Sequence, residues 1–186
     1  MAEGRRSPLG DMLPWALPNG AVALGELAFA EQIGLRARQP VPAYLAGVPL
    51  PLEANRVASM RELRTLWLGP DEWLVTSPAG AAPDLLGRLT RALAGRHGAV
   101  TDLSASRAII EIAGPRARDL LEKGCGLDVH PRAFGPGSCA QTLFAKLPVI
   151  IDQLSAAPAF RLFVRRSSAP WLAEWLIDAA EEFRLG

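Results

Sequence analysis

The chain has 186 residues, 49% of them apolar and 21% charged, a balance that suits one domain or one domain with an appendage and excludes a chain disordered throughout. Twenty basic residues against nineteen acidic ones leave a net charge of +1, so the global basic excess of a nucleic-acid binder is absent. Cys125, Cys139, His97 and His130 are too few and too scattered for a disulfide framework or a structural zinc site, and they fit a reducing cytoplasm.

Residues 1–60 carry seven of the sixteen prolines, which excludes long helices there. The expected form is an extended, proline-rich arm with short edge strands at residues 23–29 and 32–38, followed by a second region over residues 61–186. The apolar run at residues 12–25 superficially resembles a leader peptide. Pro14, Pro18, Asn19 and Gly20 interrupt it, Asp11 opens it, and it is shorter than the ~20 residues a bilayer span needs, so neither secretion nor a membrane is expected. An arm rich in Leu, Trp and Pro cannot bury itself, so it wraps its own domain or lies on a partner.

Residues 64–68 and 72–76 read as strands joined by the turn Gly69-Pro70-Asp71. A helix is expected over residues 83–94, with Pro83 in its first turn, Leu85, Leu86, Leu89 and Leu93 on one face, and Gly95 closing it. Strands follow at residues 99–103 and 107–113, the second with Ile110 and Ile112 opposite Glu111. Gly114-Pro115 opens a second helix with Ala117, Leu120 and Leu121 on its apolar side, ended by Gly124; residues 125–137 are then a loop. Residues 140–145 and 149–154 form a hairpin across Lys146-Leu147-Pro148, and residues 159–165 alternate Phe160, Leu162 and Val164 against Arg161, Phe163 and Arg165, as in a sheet with one buried face. A third helix spans residues 168–183, capped by Ser168, with an apolar stripe of Trp171, Leu172, Trp175, Leu176, Ala179 and Phe183. Paired strands between three helices give an α+β fold with an antiparallel or mixed sheet, not a doubly wound one.

The standard chemical motifs are missing. Gly124-Cys125-Gly126 lacks the third glycine of a dinucleotide loop, and no phosphate loop, H-E-x-x-H or G-x-S-x-G occurs. Cys125 and His130 could act as a nucleophile and base only with an orienting group such as Asp128; a packed loop explains the same residues. Asp71-Glu72 and the set Asp102, Ser104, Arg107 read as turn-organising polar groups. Arg161, Arg165 and Arg166 form a basic strip that could grip a carboxylate or an acidic partner surface. With Trp15, Trp171 and Trp175 they make the candidate partner interface. No catalytic, cofactor-binding or metal residue is singled out.

Several stretches carry a resemblance. They are Leu68-Gly-Pro-Asp-Glu-Trp-Leu74, Asp102-Leu-Ser-Ala-Ser-Arg107, Gly114-Pro-Arg-Ala-Arg-Asp-Leu-Leu-Glu-Lys-Gly-Cys-Gly-Leu-Asp-Val-His-Pro-Arg-Ala-Phe134, Cys139-Ala-Gln-Thr-Leu143 and Phe160-Arg-Leu-Phe-Val-Arg-Arg-Ser167. Through them the chain resembles the gamma-subunit family of heterotetrameric sarcosine oxidase. The resemblance implies a fold like the folate-binding domain of aminomethyltransferases of the glycine-cleavage T-protein type. It also implies a complex with alpha, beta and delta subunits that oxidises sarcosine with oxygen to glycine and hydrogen peroxide. The methyl carbon leaves on tetrahydrofolate as 5,10-methylenetetrahydrofolate. FAD, FMN and NAD are implied on alpha and beta, zinc on delta, and none on gamma. The alternatives are a stand-alone folate-binding one-carbon-transfer protein, in which Glu111, Trp73 and the strip Arg161 to Arg166 would assemble a site, and a subunit of a related complex oxidising another N-methylated amino acid.

Overall fold

A computed structural model describes residues 6–184. In chain order its strands are β1 (Trp15–Ala16), β2 (Ala23–Glu26), β3 (Glu31–Ala37), β4 (Tyr44–Leu45), β5 (Val48–Pro49), β6 (Val57–Met60), β7 (Leu63–Gly69), β8 (Glu72–Ser77), β9 (Gly98–Asp102), β10 (Arg107–Ala113), β11 (Cys139–Phe144), β12 (Leu147–Ser155) and β13 (Ala159–Arg165). The helices are α1 (Leu85–Ala92), α2 (Ala117–Gly124) and α3 (Ala169–Ala180). They build two compact units. One comprises the residues up to 28 together with those from 106 onward, and the other comprises residues 29–105. Every strand pairing is antiparallel.

The first unit is a six-stranded sheet in the order β1-β2-β10-β13-β12-β11. Alternation along β10 and β13 sends Ile110, Ile112, Phe160, Leu162 and Val164 to the face that α2 and α3 cover. Leu120, Leu121, Leu172 and Leu176 descend onto them, each fully buried, and burial of each stabilises by roughly 1.5–3 kcal/mol. Gly114, at φ 121°, lets the chain turn from β10 into α2 against the backbone of Ala21, whose carbonyl oxygen would lie 2.4 Å from any added Cβ.

The second unit is a five-stranded sheet in the order β6-β7-β8-β3-β9, with the β4–β5 hairpin beside it. Its core joins Ile33, Leu35, Trp73 and Val75 of the sheet to Leu85, Leu89 and Leu93 of the α1 segment.

Of residues 1–60, expected as an extended arm, residues 1–5 lie outside the described residues and residues 6–60 are shared between the two units. Leu9, Leu13, Leu17, Val22 and Leu24 belong to the first core. β3 is an inner strand between β8 and β9, not an edge. The reason is local: no proline lies between Pro18 and Pro40, so the backbone donors a central strand needs are intact.

Other expectations shift by a few residues. α1 begins after Asp84 and α2 after Arg116, so Pro83 and Pro115 precede the helices and do not occupy their first turns. Leu86 is 39% exposed, off the buried face of α1. The β11–β12 turn is Ala145-Lys146, both at positive φ (46° and 68°), and Pro148 lies inside β12 opposite Leu143. β13 is buried on both faces at Phe163, not on one.

Candidate functional site

The predicted interface residues fall into two groups. Arg161 sits in register between Glu111 of β10 and Asp152 of β12. Its Nε and Nη2 both donate to Glu111 Oε1 at 2.9 Å, and the side chain is 16% exposed. That guanidinium is engaged within the sheet. Trp175 is half-buried, with its ring edge-on to Phe144 at 5.2 Å and 84°. Trp15 is half-buried on β1, in register with Leu24 and packed on the first core.

Arg165, Arg166 and Trp171 face solvent. They lie close in sequence where β13 gives way to α3 through the short 3-10 turn Arg166–Ser168. Both arginines are exposed, and Arg166 donates from Nη2 to the carbonyl oxygen of Arg6 while its backbone N–H bonds Ser106 O at 3.1 Å. Trp171 is 49% exposed, in the first turn of α3. The buried residues of α3 are Ala169, Leu172, Ala173, Leu176 and Ala180, so the expected stripe holds at Leu172 and Leu176, while Trp171 falls outside it. Of the predicted set, Arg165, Arg166 and Trp171 are the members that remain exposed.

The other chemical candidates resolve as structure. Burial pushes the Cys125 thiol above its usual range, the opposite of what a thiolate nucleophile needs. His130 Nδ1 accepts the Arg132 N–H at 3.2 Å, and Asp128 Oδ1 accepts the His130 N–H at 2.9 Å, so both shape the loop and no nucleophile–base pair forms. The sequence reading overlooked Arg118. Its Nη1 donates to Val129 O and to Phe134 O, its guanidinium lies 5.1 Å from the Phe160 ring centroid, and burial lowers its pKa. It ties the 125–137 loop to the core. The only available signal was an arginine between Ala117 and Leu120 on a helix face.

Asp102 Oδ1 accepts from Ser104 N at 2.9 Å and Ser104 Oγ at 2.6 Å, the turn role expected of them. Glu72 is engaged by Arg36 at 2.7 Å.

A folate pocket from Glu111, Trp73 and the arginine strip does not form. Trp73 is fully buried in the second core with its Nε1 donating to Pro51 O at 2.8 Å, and Glu111 is taken by Arg161. These residues do not fit a pterin, which needs an open slot and an available carboxylate. Among the described residues no group of three or more His, Cys, Asp or Glu could hold a metal, and no helix is long and apolar enough to cross a membrane.

A shallow cleft of about 550 Å³ was not foreseen. Arg36, Arg38, Asp71, His97, Gly98 and Ala99 line it at one corner of the five-stranded sheet.

Antiparallel sheets with helices on them make this an α+β protein. Aminomethyltransferase T of the glycine cleavage system from Bartonella henselae shares the fold: TM-score 0.64 at 18% identity, over 88% of this chain and 46% of that one. Within that class, residues 40–182 match the sarcosine oxidase, gamma subunit family, and the chain belongs to it. The sarcosine oxidase subunit gamma of an Arthrobacter species is 39% identical over 96% of this chain and 91% of that protein. A chain of the heterotetrameric sarcosine oxidase from Corynebacterium sp. U-96, in complex with pyrrole 2-carboxylate, superposes with a TM-score of 0.85 at 36% identity, covering 97% of this chain and 96% of that one.

Proposed function

We propose that this chain is the non-catalytic, structural gamma subunit of a heterotetrameric sarcosine oxidase. In that role it assembles with alpha, beta and delta subunits. These carry FAD, FMN, NAD and zinc and serve tetrahydrofolate, and the complex works in the cytoplasm. Sarcosine is oxidatively demethylated to glycine there, with hydrogen peroxide and 5,10-methylenetetrahydrofolate as the other products. The observation that carries this reading is the near end-to-end match, in sequence and in fold, to a chain of a heterotetrameric sarcosine oxidase. The disposition of polar groups agrees with it, because the candidate base His130, its candidate orienting group Asp128 and the candidate pterin carboxylate Glu111 are all engaged in internal contacts.

Docking is assigned to the exposed set Arg165, Arg166 and Trp171. The test is co-expression of the tagged chain with the three other subunits. All four should elute together and oxidise sarcosine with release of peroxide, while the isolated chain turns over nothing. Elution of the chain alone refutes the proposal. Trp171→Ala and Arg165→Glu should each weaken assembly at least tenfold, the loss an interface anchor worth ~2 kcal/mol produces.

A further inference from the structure

β9 ends the five-stranded sheet, and Gly98, Ala99, Thr101 and Asp102 along it are exposed. Its hydrogen-bond phase follows from two bonds to the β3 side. Arg38 N–H donates to His97 O at 3.0 Å, and Leu103 N–H donates to Gln32 O at 2.7 Å. Odd-numbered residues of β9 therefore bond β3, and the N–H and C=O of Gly98 and Val100 point the other way, out of the sheet. Natural edges are usually blunted with lysine, proline or a bulge. Gly98-Ala-Val-Thr-Asp102 has no lysine or proline, its side chains are small, and its pairing with β3 runs without a shift. An edge left this open suits a strand added from outside.

The cleft lies at the same end of β9, since Gly98 and Ala99 form part of its wall. Arg36 there is held by Glu72 at 2.7 Å, whereas Arg38 and His97 are exposed, and Arg96 is the preceding exposed residue. Asp71 is the one acid in the lining. The local balance favours an incoming carboxylate.

We infer that β9 receives an extended segment of a partner subunit as a sixth strand, with an acidic side chain of that segment seated in the cleft beside Arg38 and His97. This rests on the proposal that the chain works inside a multisubunit complex. Main-chain bonds to Gly98 and Val100 supply the attachment, and the cleft supplies the register.

Val100→Pro tests it. That N–H faces away from β3, so its removal leaves the ladder within the sheet intact and deletes one donor to the added strand. Val100→Thr retains the donor. In the co-expressed complex, Val100→Pro and Arg38→Glu should each weaken retention of this chain by about tenfold or more, and Val100→Thr should assemble as the unaltered chain does. Undiminished assembly of a folded Val100→Pro chain overturns the inference. So does a finding that the lone chain dimerises through this edge and becomes monomeric on the same change.

Should Val100→Pro fail to fold, hydrogen exchange on the unaltered protein decides. The stretch 97–103 should exchange at least about tenfold more slowly in the complex than in the free chain, and equal rates would refute strand addition. If the unaltered chain does not enter the complex at all, it is the proposed function that fails.

Discussion

Thr65 is the clearest imperfection at the scale of single residues. It lies on β7 in register with Ala58 and Val75, is fully buried, and its Oγ1 has no hydrogen-bond partner. A hydroxyl buried in this way has lost its water and gained nothing in exchange. Thr65→Val replaces the hydroxyl with a methyl of nearly the same shape. The unfolding free energy should rise by ~1 kcal/mol, read from the urea midpoint at constant slope. Cys125 gives a second test. Burial raises its thiol pKa above the unfolded value of ~8.5, so at neutral pH it stays protonated and should be alkylated more slowly than a free thiol. The linked sign is fixed as well. The folded chain holds the proton more tightly, so this group's contribution to stability is complete below the unfolded thiol range and declines as the pH rises through the folded one. Slower labelling that recovers in urea would confirm the burial; labelling at the free-thiol rate would contradict it.

The elements show where sequence patterns carried the fold and where they misled. Strands with uninterrupted period-two patterns were legible. β10 came out over the expected residues, and β3, β8 and β13 within a residue at each end, because one wrong step would turn Ile110 or Leu162 out of the core. The stripe on α3 was misread because weight went to its largest side chains. Ala169, Ala173 and Ala180 sit at the centre of the contact, where short side chains let the helix approach the sheet, and Trp171 and Trp175 flank it. Of the six interface candidates, position in the pattern could not reveal that Arg161 would be consumed by Glu111, since that contact spans fifty residues and exists only once β10 and β13 pair.

Pro148 misled for a different reason. Proline usually signals a turn, yet Pro148 ends the short part of β12, Leu147 and Pro148, that pairs only with β11; pairing with β13 starts at Val149, so the missing donor costs nothing. The true turn, Ala145-Lys146, places two side chains at positive φ, the geometry that favours Asn-Gly. Ala145→Asn combined with Lys146→Gly should therefore stabilise the hairpin by ~1 kcal/mol, visible as a higher thermal midpoint. A lower midpoint would show that the present turn is not strained.

Across the whole molecule, the decisive feature is that the first unit is discontinuous. Its sheet is completed by β1 and β2 from the beginning of the chain, and β2 pairs with β10, whose residues follow the entire second unit. Composition concealed this, because the prolines that punctuate residues 1–60 suggest an appendage and give no hint of which strand β2 will join. An appendage can be damaged without consequence for the domain it serves, whereas a core strand cannot. Leu24, 2% exposed and set among Ile112, Trp15 and their neighbours, separates the two descriptions. Leu24→Ala removes a buried isobutyl group from that core, and the cost of such a deletion is 2–5 kcal/mol. The change should lower the unfolding free energy of the first unit by that amount, read from the urea midpoint at constant slope, even though Leu24 lies outside the residues 40–182 that match the family. Wild-type stability in Leu24→Ala would mean that β2 only leans on the sheet. A marked loss would mean that any partner of the first unit meets a surface whose shape depends on β1 and β2 being in place.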